Sequence, residues 1–486
     1  MGFCIVLRLN NVALNDIIPL LTAELKSKAS PLLRQLGFYS ATALVVSNMV
    51  GTGIFSTTGF MAGDLGSASL ILWCWGVGAF FAICGALCYS ELGINFPSSG
   101  GEYVYLTEGY GPAWGFMSGW VSFFAGFSAP IAAAALAFAN YAGYFNPAFK
   151  GDTPPWFSVG SGALSLQVGG PQILAAALIA VFTILNCLGV KLISRIQNTL
   201  TATKIGVIAV FVLAGFLAGH GDWSHFSEGA VRTSSYSVPV QFIISLVWVM
   251  VGYSGWNAAT YVAEEIRSPH KNLPAAIAAG TCLVTLMYLG LNVIFIYATP
   301  IEKMKGVLAV GSLAASNLFG PGIAGAFAAL MAVSIMSTVN AMVTIGPRVY
   351  YAMAKNRAFF ATAAKVNPRW HTPVAAIVAQ GICAILMTMT PFPQLVLYIG
   401  FSLTFFTVLA VGSVFIFRRR PGWQQLGALN FAWPAIPVLY ILIGVTTIGY
   451  GFVFSRVATG AALATIVFGA GIYRLVWKKH ESVSAS

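Results

Sequence analysis

Two short runs of small and polar residues interrupt apolar stretches of this chain. Gly51-Thr52-Gly53 sits in the middle of GFYSATALVVSNMVGTGIFSTTGFMAG, and Gly252-Tyr253-Ser254-Gly255 in the middle of QFIISLVWVMVGYSGWNAATYVAEE. Glycines set about a small polar residue invite a helix to unwind. In hydrocarbon each unpaired N–H or C=O costs several kcal/mol, so such a break persists only inside protein or beside water. Its chemistry is that of a ligand site: the N-terminus of a half-helix suits a carboxylate, and freed carbonyls suit an ammonium or another cation. One site of this kind holds both ends of a zwitterion. Close helix packing would account for a lone GxG; two breaks at matching places, one beside Trp256 and Asn257, favour a site.

Lys204 is the other residue demanding explanation, because at least fourteen uncharged residues follow it in TLTATKIGVIAVFVLAGF. A charge at the bilayer centre costs from about 2.5 to more than 10 kcal/mol, which makes the functional reading the default. The competing reading is snorkelling, given a long stem and a helix start placed only a few residues away. Glu91, Glu102, Glu108, Glu264 and Glu265 fall at helix ends or in loops, where pairing with arginine or backbone suits them better than contact with a ligand. His220, Asp222 and His225 have the residue types of a metal trio, but solvated loop residues are the simpler reading, and no metal is expected. A phosphate-binding GxxxxGK[ST] run is absent from the sequence, so ATP does not power this chain, and no catalytic arrangement or cofactor is expected.

The elements that must position these residues are membrane spans. With 58% hydrophobic and 8% charged residues and a mean hydropathy of +0.82, the chain cannot clothe a globule in water-compatible surface. A span needs about 20 apolar residues. Twelve stretches qualify, near 38–62, 68–95, 113–142, 172–189, 200–218, 240–262, 274–297, 322–352, 373–390, 394–417, 432–452 and 458–477. The net charge of +12 reflects topology, not nucleic acid. With both termini cytoplasmic, nineteen Lys and Arg fall inside, and outside only Lys150, Arg232, Lys303, Lys305 and Arg456, the bias the positive-inside rule requires. Leu20 and Leu21 lie among Lys26, Lys28 and Arg34 with no long apolar core, so no signal peptide is expected. The seven cysteines lie in or beside apolar stretches, and structural disulfides are not expected.

The chain resembles the amino acid, polyamine and organocation superfamily, and within it the L-type amino acid transporters and their bacterial relatives. Three motifs carry the likeness: Gly51-Thr52-Gly53-Ile54-Phe55; Tyr89-Ser90-Glu91-Leu92-Gly93 through Phe96-Pro97 to Ser99-Gly100-Gly101-Glu102-Tyr103-Val104-Tyr105-Leu106; and Gly255-Trp256-Asn257 through Glu264-Glu265 to Pro269 and Asn272-Leu273-Pro274. Together they cover roughly 37–420.

The resemblance implies an all-α membrane protein with a LeuT-like fold: a cytoplasmic segment 1–36, inverted five-helix repeats over 37–218 and 219–420, helices 11 and 12 over 421–477, and a cytoplasmic tail 478–486. It implies alternating-access transport in the plasma membrane. The substrate carboxylate would meet N–H groups at Gly51, Thr52 and Gly53 and the Thr52 hydroxyl; the amino group would meet carbonyls near Asn48, Met49, Val251 and Gly252, with Asn257 beside them. L-type carriers place an aromatic gate at the position of Val251, which is aliphatic here, so either Tyr253 or another aromatic takes that task or the gate is built differently. Sodium-independent relatives place a fifth-helix lysine where sodium-coupled members hold a cation between the first and eighth helices. Lys204 would replace that ion, with Ser334, Ser337 and Thr338 as partners. Exchange and proton coupling both stay open. Without an acid at mid-membrane a neutral amino acid is favoured over a cationic one. L-type carriers join a single-span glycoprotein through a cysteine between the third and fourth helices; Gly143 to Pro171 has none, so no disulfide-linked heavy subunit is expected. The rival readings are an amino acid sensor on a carrier fold, a passive channel and a carrier of another small organic amine.

Overall fold

In lipid only structures that pair their own backbone can span, so the apolar stretches become helices. A computed structural model describes residues 34–160, 165–307 and 309–477; most of the expected terminal segments fall outside these. In chain order the helices are α1 (Phe38–Met49), α2 (Thr52–Leu65), α3 (Ala68–Asn95), α4 (Glu102–Tyr110) and α5 (Pro112–Ala142). Next come α6 (Gly170–Cys187), α7 (Val190–Ala218), α8 (Val238–Tyr253), α9 (Pro269–Ala298), α10 (Val310–Phe319) and α11 (Pro321–Lys355). Last are α12 (Val374–Met387), α13 (Phe392–Phe417), α14 (Ala435–Phe454) and α15 (Arg456–Ile472). A 3₁₀ helix, Ala258–Glu265, completes the span begun by α8.

Among the described residues ten helices are long and apolar enough to cross a membrane. The split first span, α1 with α2, and the 14-residue α12 stand where the remaining two of the twelve expected spans were placed. The protein is a multi-pass, all-α membrane protein. A small antiparallel hairpin in the loop after α5, Phe157–Val159 against Leu166–Val168, was not expected from the sequence.

Both breaks are present, each displaced from its expected position by a residue or two. α1 ends at Met49 and α2 begins at Thr52, so Gly53 is helical; α8 runs through Gly252 and Tyr253, and the unwound residues are Ser254 to Asn257. Gly53 serves close approach instead of unwinding, since a Cβ on it would stand 2.5 Å from the Gly252 Cα. Gly255 has φ +98°, a conformation that favours glycine.

The fifth helix starts at Val190, ten residues before its expected start, because Leu192, Ile193 and Ile196 extend its apolar character below the first polar turn. α5 contains a π-helical turn, Ser122–Ser128. Pro130 has no N–H to give, and its ring crowds the carbonyl four residues back, at Gly126, which favours the wider turn.

α1, α5, α8, the 3₁₀ helix, α11 and α13 surround the breaks, with α3 and α9 behind them. The helix ends bearing Arg267, Lys355 and Arg418 to Arg420 form a basic face. There the N–H groups of Gln35 and Leu36 donate to Glu265 O and Arg267 N–H donates to Leu36 O, tying the start of α1 to the end of the 3₁₀ helix. A buried Glu265–Arg348 pair at 2.9 Å reinforces this latch.

Candidate functional site

The second break, Asn48 of α1 and the π turn of α5 enclose a cavity of about 70 Å³ lined by Gly126, Phe127, Pro130, Met342, Thr404 and the unwound Ser254 to Asn257; of the expected site residues Met49, Gly51, Gly53, Val251 and Gly252 do not border it. On the face opposite the basic one a larger cleft, about 350 Å³, is bordered by Phe60, Asn140 and Gly306. Phe60 of α2 stacks on Trp248 of α8 with ring centroids 5.3 Å apart. Tyr253 does not take a gating position: it is buried behind the break, against Trp75 and Tyr288. Val251 packs against Gly400 of α13.

Gly51 N–H donates to Met49 O, leaving the N–H groups of Thr52 and Gly53 at the start of α2, where helices leave amides unpaired. The Thr52 hydroxyl lies outside the described side chains. Three of the four carbonyls expected to meet an ammonium already accept hydrogen bonds. Met49 O accepts from Gly51 N–H at 2.9 Å and from Tyr288 OH; Gly252 O accepts from the same hydroxyl at 2.9 Å. Val251 O accepts from the Ser254 N–H and hydroxyl at 3.0 and 2.7 Å. Tyr288 carries one O–H and can satisfy only one carbonyl at a time. Sequence reasoning missed it because a tyrosine within an apolar span of α9 carries no local signal of its partners.

Asn257 Nδ2 donates to Glu102 Oε1 at 2.6 Å and to Tyr261 OH at 3.0 Å. Both amide hydrogens are engaged, which leaves Oδ1 as the acceptor for whatever fills the cavity.

Lys204 is fully buried at the fifteenth residue of α7, and its ammonium donates to Val50 O at 2.6 Å, Thr338 Oγ1 at 2.9 Å and Ser47 O at 3.5 Å. Snorkelling is thereby replaced: the start of α7 is fourteen residues away, and the three oxygens match the three ammonium hydrogens. Of the expected partners, Thr338 touches Lys204. Ser337 bonds Ser47 at 2.8 Å, whereas the buried Ser334 Oγ has no hydrogen-bond partner. The ammonium thus joins α7 to the end of α1 and to α11.

The peripheral acids differ among themselves. Glu91 is buried against Arg418, with oxygens 2.7 and 2.5 Å from Nε and NH2, and Glu265 pairs with Arg348. Glu108 and Arg420 meet at 3.7 Å on the surface. Among the described residues neither Glu102 nor Glu264 has a basic partner. His220 and His225 turn to separate carbonyls, of Leu318 and of Ile296 and Tyr297; Asp222 accepts from Ser224, whose N–H and hydroxyl hold its carboxyl below the ordinary carboxylate range.

A family model described as "Amino acid permease" matches residues 36–472, spanning both breaks, the cavity and Lys204. The chain belongs to the amino acid permease family. Similar members include the human "Large neutral amino acids transporter small subunit 2", 28% identical over 459 residues, 93% of this chain and 82% of the relative. The mouse "Asc-type amino acid transporter 1" is 27% identical over 458 residues, covering 92% and 82%. The mouse "b(0,+)-type amino acid transporter 1" is 28% identical over 434 residues, covering 87% and 83%. This permease is a transporter and not an enzyme; its family moves amino acids across membranes.

Proposed function

We propose that the chain is a sodium-independent carrier of small neutral amino acids that works by alternating access. The cavity between the two breaks carries this reading. Asn257 Oδ1 lines it and suits the ammonium; once the cavity widens toward the start of α2, the amides there suit the substrate carboxylate and the carbonyl that Tyr288 releases joins Asn257. A volume of about 70 Å³ favours a short side chain, alanine or serine, although its relatives include large neutral and b(0,+)-type amino acid transporters. The Lys204 ammonium, bonded to α1 and α11, supplies the charge that a sodium ion would bring, which supports sodium independence. We place the protein in the plasma membrane with the basic face and both termini cytoplasmic, the first repeat over 37–218 and the second over 219–420. Phe60 and Trp248 then form the outer gate, and the Glu265–Arg348 latch closes the inner one.

The test is counterflow in proteoliposomes without sodium, following labelled alanine, serine, leucine and arginine into vesicles loaded with unlabelled amino acids. Saturable entry of alanine or serine only into loaded vesicles supports an exchanger. Entry that a proton gradient drives into empty vesicles makes it a proton-coupled carrier. A requirement for sodium, or no entry under any gradient, overturns the reading.

A further inference from the structure

Among the described acids of the basic side, Glu102 and Glu264 each keep a buried Oε2 without a partner, and of the two Glu102 touches the cavity lining. It opens α4, is 4% exposed, and touches the cavity through Asn257. Its oxygens are unequal. Oε1 accepts from Tyr89 OH at 2.8 Å and from Asn257 Nδ2 at 2.6 Å, and the Tyr261 hydroxyl also turns its hydrogen to the carboxyl, while Oε2 has no partner within hydrogen-bond distance. That division suits a neutral carboxyl, in which the donor-rich oxygen is the carbonyl and the other need bear no negative charge, although its O–H meets no acceptor until water enters. A carboxylate would instead draw donors to both oxygens.

Among the described residues the groups around it offer no compensating charge. α3 presents Tyr89, α4 itself Tyr105, the 3₁₀ helix Tyr261, and α14 Tyr440. The neighbouring ion pairs are closed on themselves, Glu91 with Arg418 and Glu265 with Arg348. A buried carboxylate with no cation beside it is costly, and the acid relieves that cost by taking a proton. Burial pushes the Glu102 carboxyl above the ordinary carboxylate range, and the hydroxyl and amide donors offset this only in part.

We propose that Glu102 is a proton-binding site coupled to the cavity, neutral while the basic-face gate is shut and ionised once that gate admits water. On opening, the proton leaves Oε2 for water; on closing, it returns, and Oε1 again holds Asn257 with Oδ1 free for substrate. The sign follows from linkage. The closed form has the raised pKa, so protonation stabilises it below the open-form pKa, and that stabilisation is lost as pH rises through the closed-form pKa. Acid therefore holds the gate shut and alkali favours opening.

Difference infrared spectroscopy on the purified full chain tests this without substrate. A carbonyl stretch of a neutral carboxylic acid is expected to disappear as pH is raised, to be missing in Glu102→Gln, and to survive in Asp64→Asn. Tyr89→Phe, which removes one donor to Oε1, should move its frequency and serves if Glu102→Gln does not fold. An acid band unchanged in both variants, or no neutral acid band at any pH above the ordinary carboxylate range, overturns the proposal. A second readout rests on the amino acid reading above: alanine affinity should change at least threefold across the same titration in the wild type and less in Glu102→Gln. Equal pH dependence in both would also overturn it. A Glu102 band without alanine binding leaves the proton site standing and sinks the substrate assignment.

Discussion

Lys204 joins three elements with one cation, and its partners are all neutral oxygens. Hydrogen bonds to a charged group contribute about 1.5–3 kcal/mol each. Lys204→Ala would leave Val50 O bonded by Thr338 alone, at 2.7 Å, and α7 untied from the end of α1. Exchange in proteoliposomes should fall at least tenfold, and Lys204→Arg should not rescue it, because a planar fork cannot occupy the place of a compact ammonium. Exchange within twofold of wild type in Lys204→Ala would refute the bridging role. Tyr288 invites a test of opposite sense. Tyr288→Phe removes the one hydroxyl donor that Met49 O and Gly252 O share, leaving Met49 O to Gly51 N–H and costing about 1–3 kcal/mol in the empty protein. Alanine should then restore thermal stability by more than it adds to the wild type; an equal or smaller ligand-induced shift would show that the ammonium does not replace the tyrosine hydroxyl.

At the scale of elements, the second break depends on backbone that only glycine supplies. With φ +98° at Gly255 and a Cβ position 2.8 Å from the Asn48 carbonyl carbon, alanine there meets both torsional strain and a backbone clash. The strain alone is about 1–3 kcal/mol. Gly255→Ala should lower the melting temperature and abolish exchange, whereas Gly449→Ala in α14, with nothing within 4 Å, should change neither. Comparable behaviour of the two variants would mean that the unwound segment does not need this conformation. The π turn of α5 is a second device of this kind: Pro130 disturbs the ladder where Gly126 and Phe127 line the cavity, so the break-facing wall is shaped by a helix that is itself irregular.

Across the whole molecule, the basic face is closed by backbone bonds between the start of α1 and the end of the 3₁₀ helix, and by an ion pair with both side chains 3% exposed. Removing one member of a buried pair costs about 3–5 kcal/mol because the other charge is stranded. In Arg348→Ala, hydrogen exchange at the amides of Leu36 and Arg267 should accelerate while helices on the opposite face keep their protection. Unchanged exchange at those amides would argue that the backbone bonds suffice without the pair.

Some of this was legible in the sequence because a bilayer imposes local rules. Backbone in hydrocarbon must pair within its own segment, so twelve apolar runs, two glycine-marked interruptions and one stranded lysine announce themselves without any knowledge of neighbours. The basic bias supports the proposed orientation for the same reason: each charge answers to its own distance from the bilayer. What the tertiary structure decided are meetings between residues far apart in the chain. Tyr288 reaches a carbonyl 239 residues away, and Asn257 reaches Glu102 across 155. Such pairings turned an acid expected to lock against arginine or backbone into a neighbour of the cavity, filled carbonyls expected to be free, and left Ser334 outside the Lys204 cluster. They also moved the breaks, because Gly53 and Gly252 are needed where two helices touch, and contact between helices is not a property of either segment alone.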